Sequence, residues 1–422
     1  MDIFKIKGPV QLNGQINING SKNSALPILA ATLLAPGKST IQGVPDLSDI
    51  TICKSLLAEL GCKVNTLDNG DITVDASVID NPVGKYDIVR KMRASICILG
   101  PLVARCKRAE VSMPGGCAIG DRPINIHLRG LQELGAKIHL ENGNVVAQAP
   151  KGLKGAEIFL GGAFGSTVLG TANILMAAAL AKGTTVIESA ACEPEITDLA
   201  NCLNQMGAKI KGIGSPRLTI EGVKELKPVT YRVIPDRIEA GTFMVAAAIT
   251  RGSLDLTNCK LTDLMAVVDK LRRIGVTVEP SGTGCTVAMN TRVKTTDITT
   301  HPYPGFPTDL QAQFMALLAL AHGNSIIIEK IFPDRFMHVA EMNRMAANLR
   351  KEGPAVIVAG VDKLIAAPVM ASDLRASAAL VLAAMAAEGT TIINRVYHID
   401  RGYERIEEKL NPVGADIIRE KI

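Results

Sequence analysis

Six segments of the chain combine apolar residues with small ones in a pattern that is typical of buried helices. Alanine occurs in all six and glycine in three, and such small residues allow neighbouring helices to approach one another closely. The segments read SALPILAATLLA, ASICILGPLVA, STVLGTANILMAAALA, GTFMVAAAIT, AQFMALLALA and ASAALVLAAMAA. Their recurrence indicates an internally repeated fold.

Each apolar helix is followed by a run of β-branched residues that predicts a strand. These runs read STIQGV, AEVSMP, TTVIES, SLDLTN, NSIIIE and TTIINR. In most copies an amphipathic helix then closes on a glycine, which is a common residue after a helix end. The glycines are Gly61, Gly135, Gly207, Gly275 and Gly414, whereas the fifth copy has MAANL at this position.

The copies recur about every seventy residues, which is longer than the common solenoid repeats. No capping repeat is found at either end, so a closed arrangement is favoured over an open stack. Three copies would make one domain. The break between the halves is expected around ELKPVTYRV, where Pro228 interrupts the pattern and a new copy starts at Asp236.

Length and composition agree with two domains that bury large cores. The chain has 422 residues, of which 47% are hydrophobic and 3% aromatic, with no tryptophan; one core seldom serves so long a chain. The net charge of +5 is mild, which argues against a nucleic-acid or membrane partner.

The same inventory predicts a cytoplasmic protein without a metal site. The first residues lack the apolar core of a signal peptide, and the longest apolar run, from Ala378 to Ala387, is shorter than the roughly 18 residues that a membrane span needs. The nine cysteines form neither a CxxC pair nor a cluster with histidine, so we expect reduced thiols.

Polar residues recur just before or at the starts of the six apolar helices. Helix starts offer partial positive charge and unpaired N–H groups, which suit phosphate and carboxylate ligands. Ordinary helix capping explains any one of these residues about as well, but the recurrence favours a common ligand site. They are Lys22, Asn23, Arg93, Ser166, Thr167, Arg237, Thr308, Asp309, Asp373 and Arg375.

The segment MPGGCAIGDRPINIH surrounds a cysteine with glycine and proline. Such a loop can move, and its backbone can approach a ligand closely. Arg122 follows Cys117 by five positions and would favour a thiolate by its charge. We interpret Cys117 as a reactive thiol and the other eight cysteines as small buried side chains.

Seven ordered motifs, spread from end to end, resemble the enolpyruvyl transferase family, and within it the UDP-N-acetylglucosamine 1-carboxyvinyltransferases. They read SKNSALP, MRASI, GGCAIGDRP, FPTDLQAQFMAL, RFMHVAEM, SDLRASAAL and YHIDRGYERIEEKL. The resemblance implies an α/β fold of two inside-out barrel domains, each of three βαβαββ repeats, with the active site in the interdomain cleft. The expected domains are residues 22–229, with the Cys117 loop, and residues 1–21 with 230–422.

The resemblance also implies the reaction and the substrates. The enolpyruvyl group of phosphoenolpyruvate would move to the 3′-hydroxyl of UDP-N-acetylglucosamine with release of phosphate, the first committed step of peptidoglycan synthesis. Asp309 would be the base on the hydroxyl, and Cys117 would be the acid that could also carry a covalent adduct. We expect a monomer without cofactor.

By the same resemblance, Lys22, Arg122 and Arg401 would hold the phosphate and carboxylate of phosphoenolpyruvate, as forked guanidinium groups do. The remaining cleft and nucleotide-sugar residues would be Asn23, Arg93, Pro123, Ile124, Asn125, Ile126, Asp309, Ile331, Arg335, Asp373 and Arg375.

One departure and two alternatives stay open. Many family members have a lysine before the third apolar helix, whereas this chain has no basic residue from Leu160 to Gly170. Backbone and hydroxyl groups would then contact the uridine diphosphate. The alternatives are an enzyme of the same fold that acts on shikimate 3-phosphate and a non-catalytic repeat ring around a polymer.

Overall fold

The computed structural model describes residues 2–114 and 123–421. Two strands begin the chain, β1 (Asp2–Gly8) and β2 (Asn13–Asn17). The six predicted copies then follow in order, and each apolar segment is a buried helix. Cys117, Arg122, Gly115, Gly116 and Gly120 lie outside the described residues.

Residues 20–114 and 123–234 form one compact unit, here called the first unit. Its first copy consists of α1 (Lys22–Ala31), a 3₁₀ turn (Thr32–Leu34), β3 (Lys38–Gln42), α2 (Ser48–Glu59), β4 (Lys63–Thr66) and β5 (Ile72–Asp75). The second consists of β6 (Val83–Gly84), α3 (Tyr86–Val89), a 3₁₀ turn (Arg93–Ile98), α4 (Leu99–Cys106), β7 (Arg108–Ser112), α5 (Asn125–Glu133), β8 (Lys137–Glu141) and β9 (Asn144–Gln148). The third consists of β10 (Glu157–Phe159), β11 (Gly161–Gly162), β12 (Gly165–Ser166), α6 (Val168–Ala179), β13 (Thr184–Glu188), α7 (Pro194–Gln205), β14 (Lys209–Lys211) and β15 (Arg217–Glu221), after which comes β16 (Thr230–Arg232).

Residues 2–19 and 235–421 form the second unit. The fourth copy consists of α8 (Arg237–Ile249), β17 (Ser253–Thr257), a 3₁₀ turn (Leu261–Leu264), α9 (Met265–Arg273), β18 (Thr277–Ser281) and β19 (Gly284–Ala288). The fifth consists of β20 (Ile298–Thr299), a 3₁₀ turn (Thr308–Leu310), α10 (Gln311–Leu318), β21 (Asn324–Ile328), α11 (His338–Arg344), β22 (Asn348–Glu352) and β23 (Ala355–Ala359). The sixth consists of β24 (Pro368–Met370), α12 (Leu374–Ala386), β25 (Gly389–Asn394), a 3₁₀ turn (Val396–Arg401), α13 (Ile406–Leu410), a 3₁₀ turn (Asn411–Val413) and β26 (Ile417–Lys421).

Every copy builds one four-stranded sheet with the same pairing. Its leading strand is parallel to the next strand, and the other two pairings are antiparallel. The second unit repeats this pattern. The orders are β16-β3-β5-β4, β6-β7-β9-β8 and β10-β13-β15-β14 in the first unit, and β2-β17-β19-β18, β20-β21-β23-β22 and β24-β25-β1-β26 in the second.

Distant strands complete three of these sheets. β16 leads the first copy, β2 leads the fourth, and β1 lies in the sixth between β25 and β26. The second unit therefore contains residues from both ends of the chain. Its boundaries lie at residues 19 and 235, whereas the sequence-based prediction placed them at residues 21 and 230.

Each unit has its own core of buried helices surrounded by sheets. Small residues let these helices touch. A methyl group at Gly241 in α8 would lie 2.4 Å from Leu310 Cδ1, and one at Gly100 in α4 would lie 2.3 Å from the Asn173 carbonyl oxygen. Only glycine fits at such approaches, which explains the composition of the predicted core.

The second helix of each copy ends on a left-handed residue. Five are the glycines predicted from the sequence, with φ between 91° and 112°. In the fifth copy Ala346 takes the same conformation, with φ of 63°, and thus occupies the place of the missing glycine. The fifth copy retains the helix end of the other five.

Candidate active site

Three carboxylates mark the helix starts of the second unit. Asp236 caps α8 by accepting from the amides of Ile238 and Glu239, at 2.8 and 3.0 Å. Asp373 caps α12 in the same way. Asp309 lies in the 3₁₀ turn that leads into α10. Carboxylates are favourable here because helix starts carry partial positive charge.

Two buried arginines connect these carboxylates. Arg335 Nη1 lies 2.7 Å from Asp309 Oδ1, and its Nη2 lies 3.6 Å from Asp373 Oδ1. Arg375 Nε lies 3.8 Å from Asp309 Oδ2. Burial opposes ionisation of Asp373, but Arg335 and the two capping amides together lower the pKa of this carboxyl. We call Asp309, Arg335, Asp373 and Arg375 the ion-pair network.

Asp309 keeps access to solvent within this network. Its side chain is 29% exposed, whereas those of Arg335 and Arg375 are 6% and 2% exposed. The arginines therefore hold the carboxylate in a defined orientation while an oxygen can still meet a substrate. This arrangement suits a general base.

A buried glutamate that sequence reasoning missed supports the network. Glu329 at the end of β21 accepts from the Thr308 hydroxyl at 2.9 Å and from the amides of Ile331 and Phe332 at 2.8 and 3.0 Å. It thereby fixes the residue before Asp309 and the chain at Ile331. The only sequence signal was an acid directly after a strand.

His338 lies beneath the same network. Burial lowers its pKa to about 4; Asp373 opposes this shift, whereas Arg335 adds to it. Among the described residues neither ring nitrogen has a hydrogen-bond partner. The ring is therefore neutral at pH 7.

Arg401 ends the 3₁₀ turn of the sixth copy and is half-buried. The adjoining Asp400 pairs with Arg419. The next two residues belong to the core, since Gly402 and Tyr403 are both buried.

Lys22 occupies the first position of α1 in the first unit, directly after the capping Ser21. Its Nζ lies 3.1 Å from Asp49 Oδ2, and the two side chains are 6% and 5% exposed. A cation at a helix start opposes the helix dipole, so Asp49 stabilises a placement that is otherwise unfavourable. Asp49 was not predicted from the sequence, although it lies in the first turn of α2. Asn23 follows and is half-buried.

Arg93 starts the 3₁₀ turn before α4. The stretch Pro123 to Ile126 leads into α5, with Ile124 buried, Ile126 half-buried and Pro123 and Asn125 exposed. Within the described part of the chain no side chain caps α5, and its first turn contains no acid. This helix start is compatible with an anionic ligand.

The segment without basic residues forms a short hairpin of β11 and β12. Thr167 follows it and caps α6 through its hydroxyl, which accepts from the Gly170 amide at 3.2 Å. Phe164, at the tip, is exposed. Hydroxyl and backbone groups are therefore the polar groups available here.

Cys117 and Arg122 cannot be compared with this geometry because both lie outside the described residues. The eight described cysteines are free thiols, and six of them are buried. Burial raises the pKa of Cys62 to about 11 and those of Cys53 and Cys97 to about 12. Thiolate chemistry is suppressed at these three sites.

The described residues contain no group of three or more histidine, cysteine, aspartate or glutamate side chains arranged to hold a metal ion. Within residues 2–114 and 123–421, every helix is too short or too polar to cross a membrane.

The structure thus brings Asp309, Arg335, Asp373 and Arg375 together, with Ile331 tied to them through Glu329. Lys22, Asn23, Arg93 and the stretch Pro123 to Ile126 lie in the first unit, each at the start of a helical segment.

Known proteins resemble this chain over nearly its full length. Residues 6–410 match the family model described as EPSP synthase (3-phosphoshikimate 1-carboxyvinyltransferase). Proteins of Methylacidiphilum infernorum and Desulfosudis oleivorans, both named UDP-N-acetylglucosamine 1-carboxyvinyltransferase, are each 54% identical over 419 residues, or 99% of both chains.

Solved structures show the same fold. The enolpyruvyl transferase NikO from Streptomyces tendae has a TM-score of 0.90 at 25% identity, with 100% of this chain and 99% of that chain covered. EPSP synthase from Acinetobacter baumannii has a TM-score of 0.76 at 20% identity, with both chains fully covered, and supports the fold alone. The two-domain α/β fold predicted from the sequence is confirmed.

Proposed function

Because this chain belongs to the family of UDP-N-acetylglucosamine 1-carboxyvinyltransferases, we propose that it transfers the enolpyruvyl group of phosphoenolpyruvate to the 3′-hydroxyl of UDP-N-acetylglucosamine. The observation that carries the proposal is 54% identity over 99% of the chain to proteins of that name. The reaction would be the first committed step of peptidoglycan synthesis, and phosphate would be released.

The reaction is an addition followed by an elimination. In the addition, the sugar 3′-oxygen bonds to C2 of phosphoenolpyruvate, its proton passes to a base, and C3 gains a proton from an acid. In the elimination, C3 loses a proton and the bond from C2 to the phosphate oxygen breaks. One base and one acid therefore have to be positioned.

We assign the base to Asp309. Its carboxylate is partly exposed and is oriented by Arg335 at 2.7 Å. Arg375 Nε lies 3.8 Å from its second oxygen, so two arginines hold the carboxylate in one orientation.

We assign the acid to Cys117, which could also carry a covalent adduct derived from phosphoenolpyruvate. The support is its loop sequence, because the residue lies outside the described part of the chain. The thiols at positions 53, 62 and 97 are buried and cannot reach a substrate in solvent, which makes Cys117 the better candidate.

Lys22, Arg122 and Arg401 would bind the anionic groups of phosphoenolpyruvate. Lys22 is already neutralised by Asp49, so the attraction for an anion also needs the start of α1 and the two arginines. Asn23 would add a neutral amide donor next to the lysine.

Arg93 and the start of α5 would bind the nucleotide sugar. The Ile331 amide already donates to Glu329, so Ile331 would contact the substrate through its carbonyl group or side chain. Thr167 and the hairpin before it supply hydroxyl and backbone groups in place of a lysine.

We further propose that the enzyme works in the cytoplasm as a monomer without metal or cofactor. The eight described free thiols fit a reducing compartment. Each unit has its own buried core, so neither needs a second chain to complete it.

Phosphate release tests the proposed acceptor. The purified protein is incubated with phosphoenolpyruvate and either UDP-N-acetylglucosamine or shikimate 3-phosphate, with phosphoenolpyruvate alone as blank. Phosphate release with UDP-N-acetylglucosamine but not with shikimate 3-phosphate supports the proposal. Release with shikimate 3-phosphate instead would assign the chain to the other activity of the fold.

Thiol mapping tests the role of Cys117. A brief exposure to an anionic epoxide such as fosfomycin, followed by peptide mapping, should label Cys117 and leave the buried thiols unmodified. Labelling of Cys97 or Cys192 with Cys117 unmodified would contradict the assignment, and the Cys117→Asp variant controls for labelling elsewhere.

A further inference from the structure

A cluster near the C-terminus joins three elements through one arginine. Arg419 on β26 lies 2.6 Å from Asp400, 2.6 Å from Glu407 and 3.2 Å from Asp2. These carboxylates come from the 3₁₀ turn of the sixth copy, from α13 and from β1. Sequence analysis did not single out any of the four residues.

The geometry of Arg419 is fully specified. Its two terminal nitrogens contact both oxygens of Asp400, at 3.1 and 2.6 Å, while Nε contacts Glu407 Oε1. The guanidinium carbon also lies 4.9 Å from the centre of the Phe4 ring. Forked contacts of this kind fix direction as well as distance, which a single surface ion pair does not.

Asp400 directly precedes Arg401, and both belong to the same 3₁₀ turn (Val396–Arg401). A forked bond to Asp400 therefore restrains the backbone of its neighbour. The turn has no long helix to keep it rigid, since only six residues form it. Its position depends on contacts made by its side chains.

The residues after Arg401 are held from the other side. Arg375 Nη1 donates to the Gly402 carbonyl oxygen at 3.5 Å, and its guanidinium carbon lies 5.1 Å from the centre of the Tyr403 ring. The Tyr403 hydroxyl lies 2.8 Å from the Thr242 hydroxyl and accepts from Gln313 at 3.2 Å. Gln313 also donates to the Asp309 carbonyl oxygen at 2.9 Å.

Arg401 thus lies between two anchors. One anchor is Arg419 with Asp400, and the other is Tyr403 with the residues around Asp309. A methyl group at Gly402 would lie 2.4 Å from Leu374 Cδ1, so the chain between the anchors follows a narrow path. A shift of the turn by a fraction of an ångström would move Arg401 relative to Asp309.

We infer that Arg419 is a positioning residue for Arg401, and that it acts through Asp400 to hold the phosphoenolpyruvate-binding guanidinium in place. The inference rests on the proposed function and adds a residue to it. The contacts of Arg419 are with Asp2, Asp400, Glu407 and the Phe4 ring, so it would act through Asp400. Its loss would therefore weaken the use of phosphoenolpyruvate and leave the use of the nucleotide sugar nearly unchanged.

Steady-state kinetics of Arg419→Gln test the inference. We expect the KM for phosphoenolpyruvate to rise about tenfold, because a slightly misplaced binding group loses much of its contribution. The KM for UDP-N-acetylglucosamine should stay within twofold of the wild-type value. For Arg419→Lys we expect a KM for phosphoenolpyruvate between those of wild type and Arg419→Gln, since a single ammonium group cannot form the forked contact.

Two further variants define the route of the effect. Asp400→Asn should raise the KM for phosphoenolpyruvate as Arg419→Gln does. The double variant should raise it little further, because both changes remove the same contact. Arg401→Lys is the benchmark and should show the same selectivity with a larger rise in KM. The matched control is Glu420→Gln, which removes the exposed pair with Lys5 from the same strands.

The results separate the possible failures. Wild-type protein that releases no phosphate with UDP-N-acetylglucosamine would refute the proposed function itself. Active wild type with an unchanged phosphoenolpyruvate KM in both Arg419→Gln and Asp400→Asn would refute the positioning role alone. Equal rises in both KM values, or a lower unfolding midpoint in urea without a selective rise, would show that Arg419 only stabilises the fold. If Arg419→Gln does not fold, Asp400→Asn decides between these outcomes.

Discussion

The two units use one repeated design but differ in the residues that begin their buried helices. In the second unit, Asp236 and Asp373 cap α8 and α12, and Asp309 precedes α10. In the first unit, Lys22 starts α1, Arg93 starts the turn before α4, and Thr167 caps α6. Since helix starts favour negative charge, the three aspartates of the second unit follow the local rule, whereas Lys22 and Arg93 of the first unit depart from it.

The departure indicates where an anion would be bound. A carboxylate at a helix start needs no ligand, whereas a lysine there leaves the partial positive charge of the helix uncompensated. Asp49 offsets the charge of Lys22 at 3.1 Å. The second unit instead adds Arg335 and Arg375 to its carboxylates, and these arginines orient Asp309. Repetition of the fold has left the chemistry of the helix starts free to diverge.

Asp309→Asn should give the largest effect. The amide cannot accept the hydroxyl proton, so turnover should fall by about two to four orders of magnitude, while the KM for the nucleotide sugar changes only a few-fold. Phosphate release measures both quantities. Asp269→Asn, which changes an exposed acid on α9, is the control and should be as active as wild type. Near-normal turnover in Asp309→Asn would show that Asp309 is not the base.

Lys22→Gln should lower both the stability of the protein and its use of phosphoenolpyruvate, and the two losses can be separated. It leaves Asp49 without its buried lysine partner, which should lower the free energy of unfolding by roughly 3 kcal/mol. The double variant Lys22→Gln, Asp49→Asn should recover most of that stability but not the use of phosphoenolpyruvate. Urea unfolding and phosphate release distinguish the two losses. Recovery of activity in the double variant would mean that Lys22 is structural.

His338 should make the stability of the second unit depend on pH. Burial lowers its pKa to about 4 from an ordinary 6.5, so only the unfolded chain takes up a proton between these values. Folding is therefore disfavoured as pH falls, by about 1.6 kcal/mol between pH 6.5 and 5. Urea unfolding should show a smaller loss for His338→Gln over this range. The control is His139→Gln, at an exposed position of the first unit, and an equal loss in wild type and His338→Gln would contradict the prediction.

Ala346→Gly should give the smallest effect and should raise stability. Ala346 has φ of 63° at a helix end where the other five copies have glycine. A left-handed alanine is strained, so relief should increase the free energy of unfolding by about 0.5 to 1 kcal/mol. Ala340→Gly within α11 is the matched control and should lower it by a similar amount. Destabilisation by both changes would show that position 346 is not strained.

Local patterns along the chain were sufficient to predict the repeating elements. The apolar helices, the strands after them and five of the six left-handed helix ends follow from periodicity and from glycine positions. Ala346 escaped this reasoning because the conformation is imposed there by the surrounding copy and not by the residue. The motif resemblance named the candidate site residues, but it did not say what holds them.

The sequence by itself determined which residue types begin each helix, since capping and helix dipoles act within one turn. Only the tertiary structure decided the partners. Asp49 pairs with a lysine 27 positions away, Glu329 holds an amide and a hydroxyl on two loops, and β1 completes a sheet with β25 and β26. Such pairings depend on strand register and on helix packing across distant segments, and the pattern of any one segment contains no record of either.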